Sequence, residues 1–127
     1  MDEAKVRALL LSKPEALEDY PFGPEVAVFK VAGKMFATLS PSRPYPQMNL
    51  KCQPDQAQAL RDIFPAVIPG YHMNKRHWNT LILDGSIPDG EVERMIDHSY
   101  ALVVQSLKKA DRNRLELHYG KEALYRD

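Results

Sequence analysis

The spacing of apolar residues along the chain predicts three helices. Residues 2–12 place apolar side chains at helical spacing. Residues 54–64 start at a proline, hold Asp55 in the first turn and repeat apolar residues on one face, so they predict a second helix. A third and longer helix is expected after Asp89, which is placed to cap it, because apolar residues recur at helical spacing through residues 92–107.

Alternation of apolar residues with a period of two predicts five strands. The run EVAVFKVAGKMFATLS, residues 25–40, alternates on both sides of an Ala-Gly-Lys turn and predicts a β-hairpin. A third short strand is expected in residues 48–52 (MNLKC), a fourth within residues 67–73, and a clearer fifth in residues 79–85 (NTLILDG). The prolines and the glycine of residues 18–25 (EDYPFGPE) are expected to interrupt regular structure.

The order helix, three strands, helix, two strands, helix predicts an α+β fold. Antiparallel strands with the helices on one face form a two-layer sandwich. We expect a single domain over residues 1–109, because the chain of 127 residues shows no internal repeat and no linker. The pattern weakens over residues 110–127, which predict a C-terminal tail that is either a loosely docked helix or frayed.

Charge is balanced over the whole chain but not along it. The 17 lysines and arginines equal the aspartates and glutamates in number. A net charge of zero argues against a protein that binds nucleic acid strongly through electrostatics alone. Residues 26–79, however, hold seven basic and two acidic side chains, between acidic segments at residues 1–25 and 80–107. If the basic side chains of this central block converge in the fold, they form a local positive face.

The run GYHMNKRHWNT, residues 70–80, concentrates basic, amide and aromatic side chains. Several cations on one surface bind phosphates, and an aromatic ring can stack on bases. The candidate nucleic-acid contacts are Lys30, Lys34, Lys51, Lys75, Arg76, His77 and Trp78. A structural alternative stays open, in which lysines at turns and strand edges prevent pairing with other chains. In that alternative Gly70 and Asn74 shape a turn and Trp78 anchors the next strand.

Metal binding and catalysis find little support in the sequence. His72 and His77 are five residues apart, which is not the helical spacing of paired ligands and places them on opposite faces of a strand. Cys52 could act as a nucleophile if a histidine came within hydrogen-bond reach. A cysteine that ends an apolar strand is, however, usually a small buried hydrophobe. We therefore expect no enzymatic activity, no cofactor and no metal.

Cysteine usage and the N-terminal residues predict a soluble, cytoplasmic protein. A single cysteine excludes an intrachain disulfide. The first residues carry acids where a signal peptide carries bases. No stretch approaches the roughly 18 apolar residues that a membrane span requires.

Five blocks of the sequence, spread over nearly all of residues 1–107, resemble the MmcQ/YjbR family. They are PFG at 21–23, VFKVAGKMFATL at 28–39, NLKCQPDQAQALR at 49–61, VIPGYHMNKRHWNTLILDGSIPD at 67–89 and HSYALVVQSL at 98–107. Their order and spacing make the likeness specific, whereas the tail from about Ala110 falls outside it.

The resemblance implies a fold similar to the secretion-chaperone-like α/β sandwich and adds no established enzymatic activity. The family is usually described as DNA-binding. Two hypotheses follow for a small non-enzymatic binding protein. One is weak, largely sequence-independent DNA binding through the central basic face. The alternative is a protein–protein interaction module with no role in nucleic-acid binding, in which Phe22 and Tyr45 are exposed for a partner. The oligomeric state stays open.

Overall fold

The computed structural model describes residues 1–70 and 73–126, so His72, considered above as a metal ligand, lies outside the described residues. The elements are α1 (Glu3–Leu11), β1 (Leu17–Asp19), β2 (Ala27–Val31), β3 (Lys34–Ser40), β4 (Gln47–Lys51), α2 (Pro54–Ile63), β5 (Val67–Pro69), β6 (Trp78–Ile82), α3 (Asp89–Gln105), α4 (Lys109–Tyr119) and α5 (Lys121–Leu124).

The strands form one antiparallel sheet in the order β1-β2-β3-β4-β6-β5. Each helix contributes at least one buried side chain to a single core that it shares with the sheet. Representative residues, one from each helix, are Val6, Ala57, Tyr100, Leu115 and Leu124. The predicted α+β sandwich is therefore confirmed.

Strand β1 is a difference from the sequence prediction, which expected no regular structure here. Leu17–Asp19 pairs with β2 at the edge of the sheet. This strand lacks the apolar alternation from which a strand is predicted. Polar contacts, instead of apolar packing, hold it in place. Glu18 forms an ion pair with Arg7 of α1, and Asp19 Oδ2 lies 3.1 Å from Lys30 Nζ.

The hairpin of β2 and β3 contains a bulge that sets which side chains face the helices. Phe29 faces Ala37 across the hairpin, but Lys30 faces Met35, so Phe36 is an extra residue in β3. Phe36 and Ala37 consequently both belong to the core. Met35 shares the opposite face of the sheet with Lys30.

Helix α3 is fastened to the sheet at this bulge. The Ser99 hydroxyl donates to the carbonyl of Phe36 at 2.6 Å and accepts from the backbone N–H of Lys51 at 2.8 Å. It thereby bridges β3 and β4 just beyond their last paired residues. The ring of Tyr100 packs edge-on against Phe36, with centroids 5.2 Å apart.

Two predicted helix details are wrong. Asp89 does not cap α3, because Pro88 occupies the cap position. Asp89 is the first helical residue, where its carboxylate still interacts favourably with the helix dipole. Ile63 was expected on the buried face of α2 but is 64% exposed, because that face runs through Ala57 and Leu60 and the helix ends at Ile63.

Two helices, α4 and α5, follow α3 toward the end of the described chain. Leu115 of α4 and Leu124 of α5 are buried in the same core as the sheet. Gly120 separates the two helices with a φ of 83°, in the left-handed region that favours glycine. The domain boundary expected after residue 109 stays a prediction. Among the described residues, no helix has the length and apolar character needed to cross a membrane.

Candidate binding cleft on the open sheet face

The helices cover one face of the sheet, and the other face bears a cleft of about 900 Å³. Alternation along the strands decides which side chains reach it. In β4, Met48 and Leu50 point into the core, whereas Gln47 and Asn49 line the cleft. The segments before β2, after β3 and before β6 rise around the face and form the rim.

The floor of the cleft is a row of three hydrogen-bonded polar residues, which we call the polar row: Thr38, Asn49 and Thr80. They are direct partners across β3, β4 and β6. Asn49 Nδ2 donates to Thr38 Oγ1 at 2.9 Å, and the Thr80 hydroxyl donates to Asn49 Oδ1. Both threonines are only 6% exposed although no helix covers them, because they lie at the bottom of the cleft.

The walls of the cleft are mainly apolar. Apart from Pro41, the apolar residues that line the cleft are Phe22, Val26, Met35, Ile68, Met73 and Trp78. Phe22 is 70% exposed at the rim. Of the described residues that line the cleft, Glu25 alone has an ionisable side chain, so the cleft contains a carboxylate and no cation.

The segment between β5 and β6 is held in place from two sides. Gly70 lies so close to β6 that an added Cβ would stand 3.1 Å from the Cβ of Trp78, which explains the glycine. Asn74 Oδ1 accepts from the backbone N–H of Arg76 at 3.0 Å and closes the turn, as the sequence predicted.

Arg61 of α2 supports the rim of the cleft and was missed by sequence reasoning. Its Nε donates to Asn79 Oδ1 at 2.7 Å, and its guanidinium also donates to the carbonyl of Lys75. Arg61 therefore ties the segment that forms one rim of the cleft to the helical layer. In the sequence it is one arginine among the polar positions of a helix, and nothing in that pattern marks it.

Three of the predicted nucleic-acid contacts, Lys30, Lys51 and Trp78, lie on the open face. Lys51 and Trp78 are direct partners across β4 and β6, and Trp78 lines the cleft. Lys30 lies on the same face, where its ammonium pairs with Asp19. The imidazole of His77 is half-buried, and its backbone carbonyl accepts from the N–H of Cys52 at 2.7 Å.

One of the five predicted cations, Lys34, lies away from the open face, so the expected positive face does not include it; a common face of the other four stays a prediction. Lys34 donates from Nζ to the carbonyl of Ser106 at 2.9 Å. That carbonyl lies at the C-terminal end of α3, where a cation is favoured by the helix dipole. Lys34 is thus engaged by the helical layer. Lys75 and Arg76 are exposed in the segment before β6.

The burial of Cys52 and the placement of possible metal ligands bear on the catalytic and metal-binding alternatives. Cys52 is a buried member of the core, and burial raises the pKa of its thiol, which disfavours the nucleophilic thiolate. No group of three His, Cys, Asp or Glu side chains among the described residues could hold a metal ion.

Comparison with known proteins points to one family. The YjbR family model matches residues 11–102. The chain is 38% identical over 109 residues to a protein of Escherichia coli O157:H7 named "Uncharacterized protein YbdF", which covers 86% of this chain and 89% of that protein. It is also 33% identical over 105 residues to "Uncharacterized protein YjbR" of Escherichia coli K12. That alignment covers 83% of this chain and 89% of the other protein.

Solved structures agree with this similarity. A crystal structure of a Deinococcus radiodurans protein with a DUF419 domain superposes with a TM-score of 0.83 at 33% identity and covers 90% of this chain and 87% of that one. A crystal structure of a Pseudomonas syringae protein gives a TM-score of 0.71 at 29% identity, with 80% and 98% covered.

Proposed function

The chain belongs to the YjbR family, and from that premise and the geometry of the open sheet face we propose that it is a non-enzymatic binding protein whose ligand occupies the cleft. The observation that supports this best is the cleft itself. Its volume of about 900 Å³ falls within the range of roughly 300–1,000 Å³ that is typical of ligand sites. Apolar walls around a few placed polar groups are the usual lining of such sites.

We propose a segment of a partner protein as the ligand, which is the interaction-module hypothesis left open by the sequence. Among the described residues that line the cleft there is one carboxylate and no cation, which suits a ligand without phosphates. Phe22 at the rim offers apolar surface to a partner, and the flexible side chains of Met35 and Met73 can adapt to it. Tyr45 is exposed in the segment after β3 but does not line the cleft.

The buried Cys52 supports the non-enzymatic part of the proposal, because a desolvated thiol is a poor nucleophile. A lone, buried cysteine is also consistent with a reducing compartment. We therefore include a cytoplasmic location and the lack of a cofactor in the proposal.

DNA binding is the second candidate, and one observation favours it. Lys51 and Trp78 lie side by side on the open face, where a base can stack on the indole while the ammonium contacts a phosphate. This version is narrower than the one predicted from sequence, since it omits Lys34 and gives Lys75 and Arg76 a supporting role from the neighbouring segment.

Selection of peptides tests the leading candidate. A phage-displayed library of random dodecapeptides is panned on the folded protein at high salt, and enriched peptides are synthesised. We expect Phe22→Ser and Met35→Arg to weaken their binding at least about fivefold, since both residues line the cleft. Leu117→Ser is the matched control, because Leu117 is an apolar residue 89% exposed on α4. Absence of enriched peptides, or peptides insensitive to both cleft variants, would refute the proposal.

Titration with labelled oligonucleotides tests the second candidate. Single-stranded and duplex DNA are compared at about 50 mM and about 200 mM salt, because contacts to phosphates weaken steeply as salt rises. Binding that Lys51→Gln weakens would support it. No binding at low salt, or binding that neither Lys51→Gln nor Lys75→Glu combined with Arg76→Glu weakens, would remove it.

A further inference from the structure

We propose that the polar row reads the backbone amides of an extended partner segment that crosses the strands of the sheet. This inference rests on the proposed function and names the chemistry of its ligand: a peptide backbone with uncharged side chains over the cleft. The polar row then supplies hydrogen bonds that any extended peptide backbone can make, and the apolar walls supply contact area.

The first step concerns what the polar row leaves unsatisfied. Thr38 Oγ1 accepts a hydrogen bond from Asn49, and Thr80 Oγ1 donates one to Asn49. These two bonds do not use the hydroxyl proton of Thr38, the second amide proton of Asn49 or the lone pairs of Thr80, and all three residues line the cleft. A ligand that displaces water from the cleft must replace these hydrogen bonds, because buried polar groups without partners are costly.

The second step concerns spacing. The three residues belong to adjacent strands, which lie about 4.8 Å apart, so the polar row spans roughly 10 Å. An extended peptide advances about 3.3 Å per residue, and three residues cover that length. Carbonyl oxygens of such a peptide can accept from Thr38 and Asn49 while one of its N–H groups donates to Thr80.

The third step concerns what flanks the polar row. The next cross-strand partners beyond the two ends of the polar row are apolar: Val28 pairs with Thr38, and Ile68 pairs with Thr80. Met35 precedes Thr38 by three residues in β3, across the bulge, and Trp78 precedes Thr80 by two residues in β6; both line the cleft beside the polar row. Side chains of a crossing peptide therefore meet apolar surface on one side of the polar row and uncharged polar surface on the other.

The last step concerns charge. Glu25 stands at the rim, and no cation lines the cleft among the described residues. A carboxylate next to a desolvated ligand repels acidic side chains and phosphates. The partner segment is accordingly neutral where it crosses the polar row, and acidic peptides should be absent from the selected set.

A cycle that changes both the protein and the peptide tests the inference. The probe is a dodecapeptide obtained by the selection described above, and its variants each have one backbone N–H replaced by N–CH₃. Thr38→Val and Thr80→Val keep the shape of the side chain and remove the hydroxyl. We expect each variant to weaken binding about tenfold, as for a lost hydrogen bond in a desolvated site. Thr80→Ser restores the hydroxyl and should restore affinity.

The decisive result is non-additivity. N-methylation at one position should weaken binding to the wild-type protein about tenfold and have no further effect on Thr80→Val, because both changes remove the same hydrogen bond. Thermal unfolding of each variant confirms that it is folded. Peptides that are lost with Met35→Arg but bind Thr38→Val and Thr80→Val as tightly as wild type overturn this inference and leave the proposed function standing. Effects that add, or a selected set rich in acidic residues, also overturn it.

Discussion

Replacement of Ser99 by alanine should destabilise the protein far more than the loss of one hydroxyl suggests. Ser99 is fully buried on α3, and its hydroxyl serves both the carbonyl of Phe36 and the N–H of Lys51. Without the hydroxyl, both backbone groups lose a buried partner. Each unsatisfied group costs about 1–3 kcal/mol, so we expect a loss of about 3 kcal/mol in the free energy of unfolding.

The expected change in melting temperature follows from the length of the chain. At about 2.1 cal/mol/K per residue, 127 residues give an unfolding entropy near 0.27 kcal/mol/K, so a loss of about 3 kcal/mol lowers Tm by about 11 °C. Ser106→Ala, at the exposed end of the same helix, is the control and should cost less than about 0.5 kcal/mol. Urea unfolding and calorimetry measure both variants. A loss below about 1 kcal/mol for Ser99→Ala would refute the bridging role of the hydroxyl.

Three further predictions concern the rim of the cleft and the core. Gly70→Ala should cost about 1 kcal/mol in urea unfolding because its Cβ would crowd Trp78, whereas Gly90→Ala, which has open space in the first turn of α3, should gain about 0.5 kcal/mol. Arg61→Met should speed hydrogen exchange in the segment before β6 and leave the exchange of α3 unchanged. Burial raises the pKa of Tyr100 above its ordinary value of 10.0. The unfolded chain therefore loses this proton first as pH rises, so stability should fall above about pH 10, and Tyr100→Phe should flatten that fall in alkaline titrations followed by circular dichroism.

The sequence predicted elements that are defined by local pattern and missed those that depend on distant residues. The hairpin, the third strand and the long helix have periodic apolar residues, and these survive in the fold. Strand β1 has none, because ion pairs from α1 and β2 hold it. The bulge at Phe36 is fixed by Ser99, which is 63 residues away, and no local pattern encodes such a contact.

The contacts of the cations in the predicted basic face could not be derived from the sequence for a similar reason. The sequence shows that Lys30, Lys34 and Lys51 are close along the chain. It does not show which group each ammonium contacts in the fold. Lys34 finds a carbonyl 72 residues away at the end of α3, and Lys30 finds Asp19 on the neighbouring strand. The cleft was within reach of the sequence only in part: Thr38, Asn49 and Thr80 are polar positions of predicted strands, but their alignment depends on the register of the sheet.

The polar row has one competing explanation, and its consequences differ from those of ligand binding. A sheet face that no helix covers is exposed to solvent, and threonine and asparagine at its centre keep the exposed strands soluble. That explanation accounts for polar residues but not for apolar walls that leave two of them only 6% exposed, since shielding a solubilising group defeats its purpose. If the polar row served solubility alone, Thr38→Val and Thr80→Val would promote self-association and would not respond to N-methylation of a bound peptide. Sedimentation of the variants beside the binding cycle therefore separates the two explanations in one set of proteins.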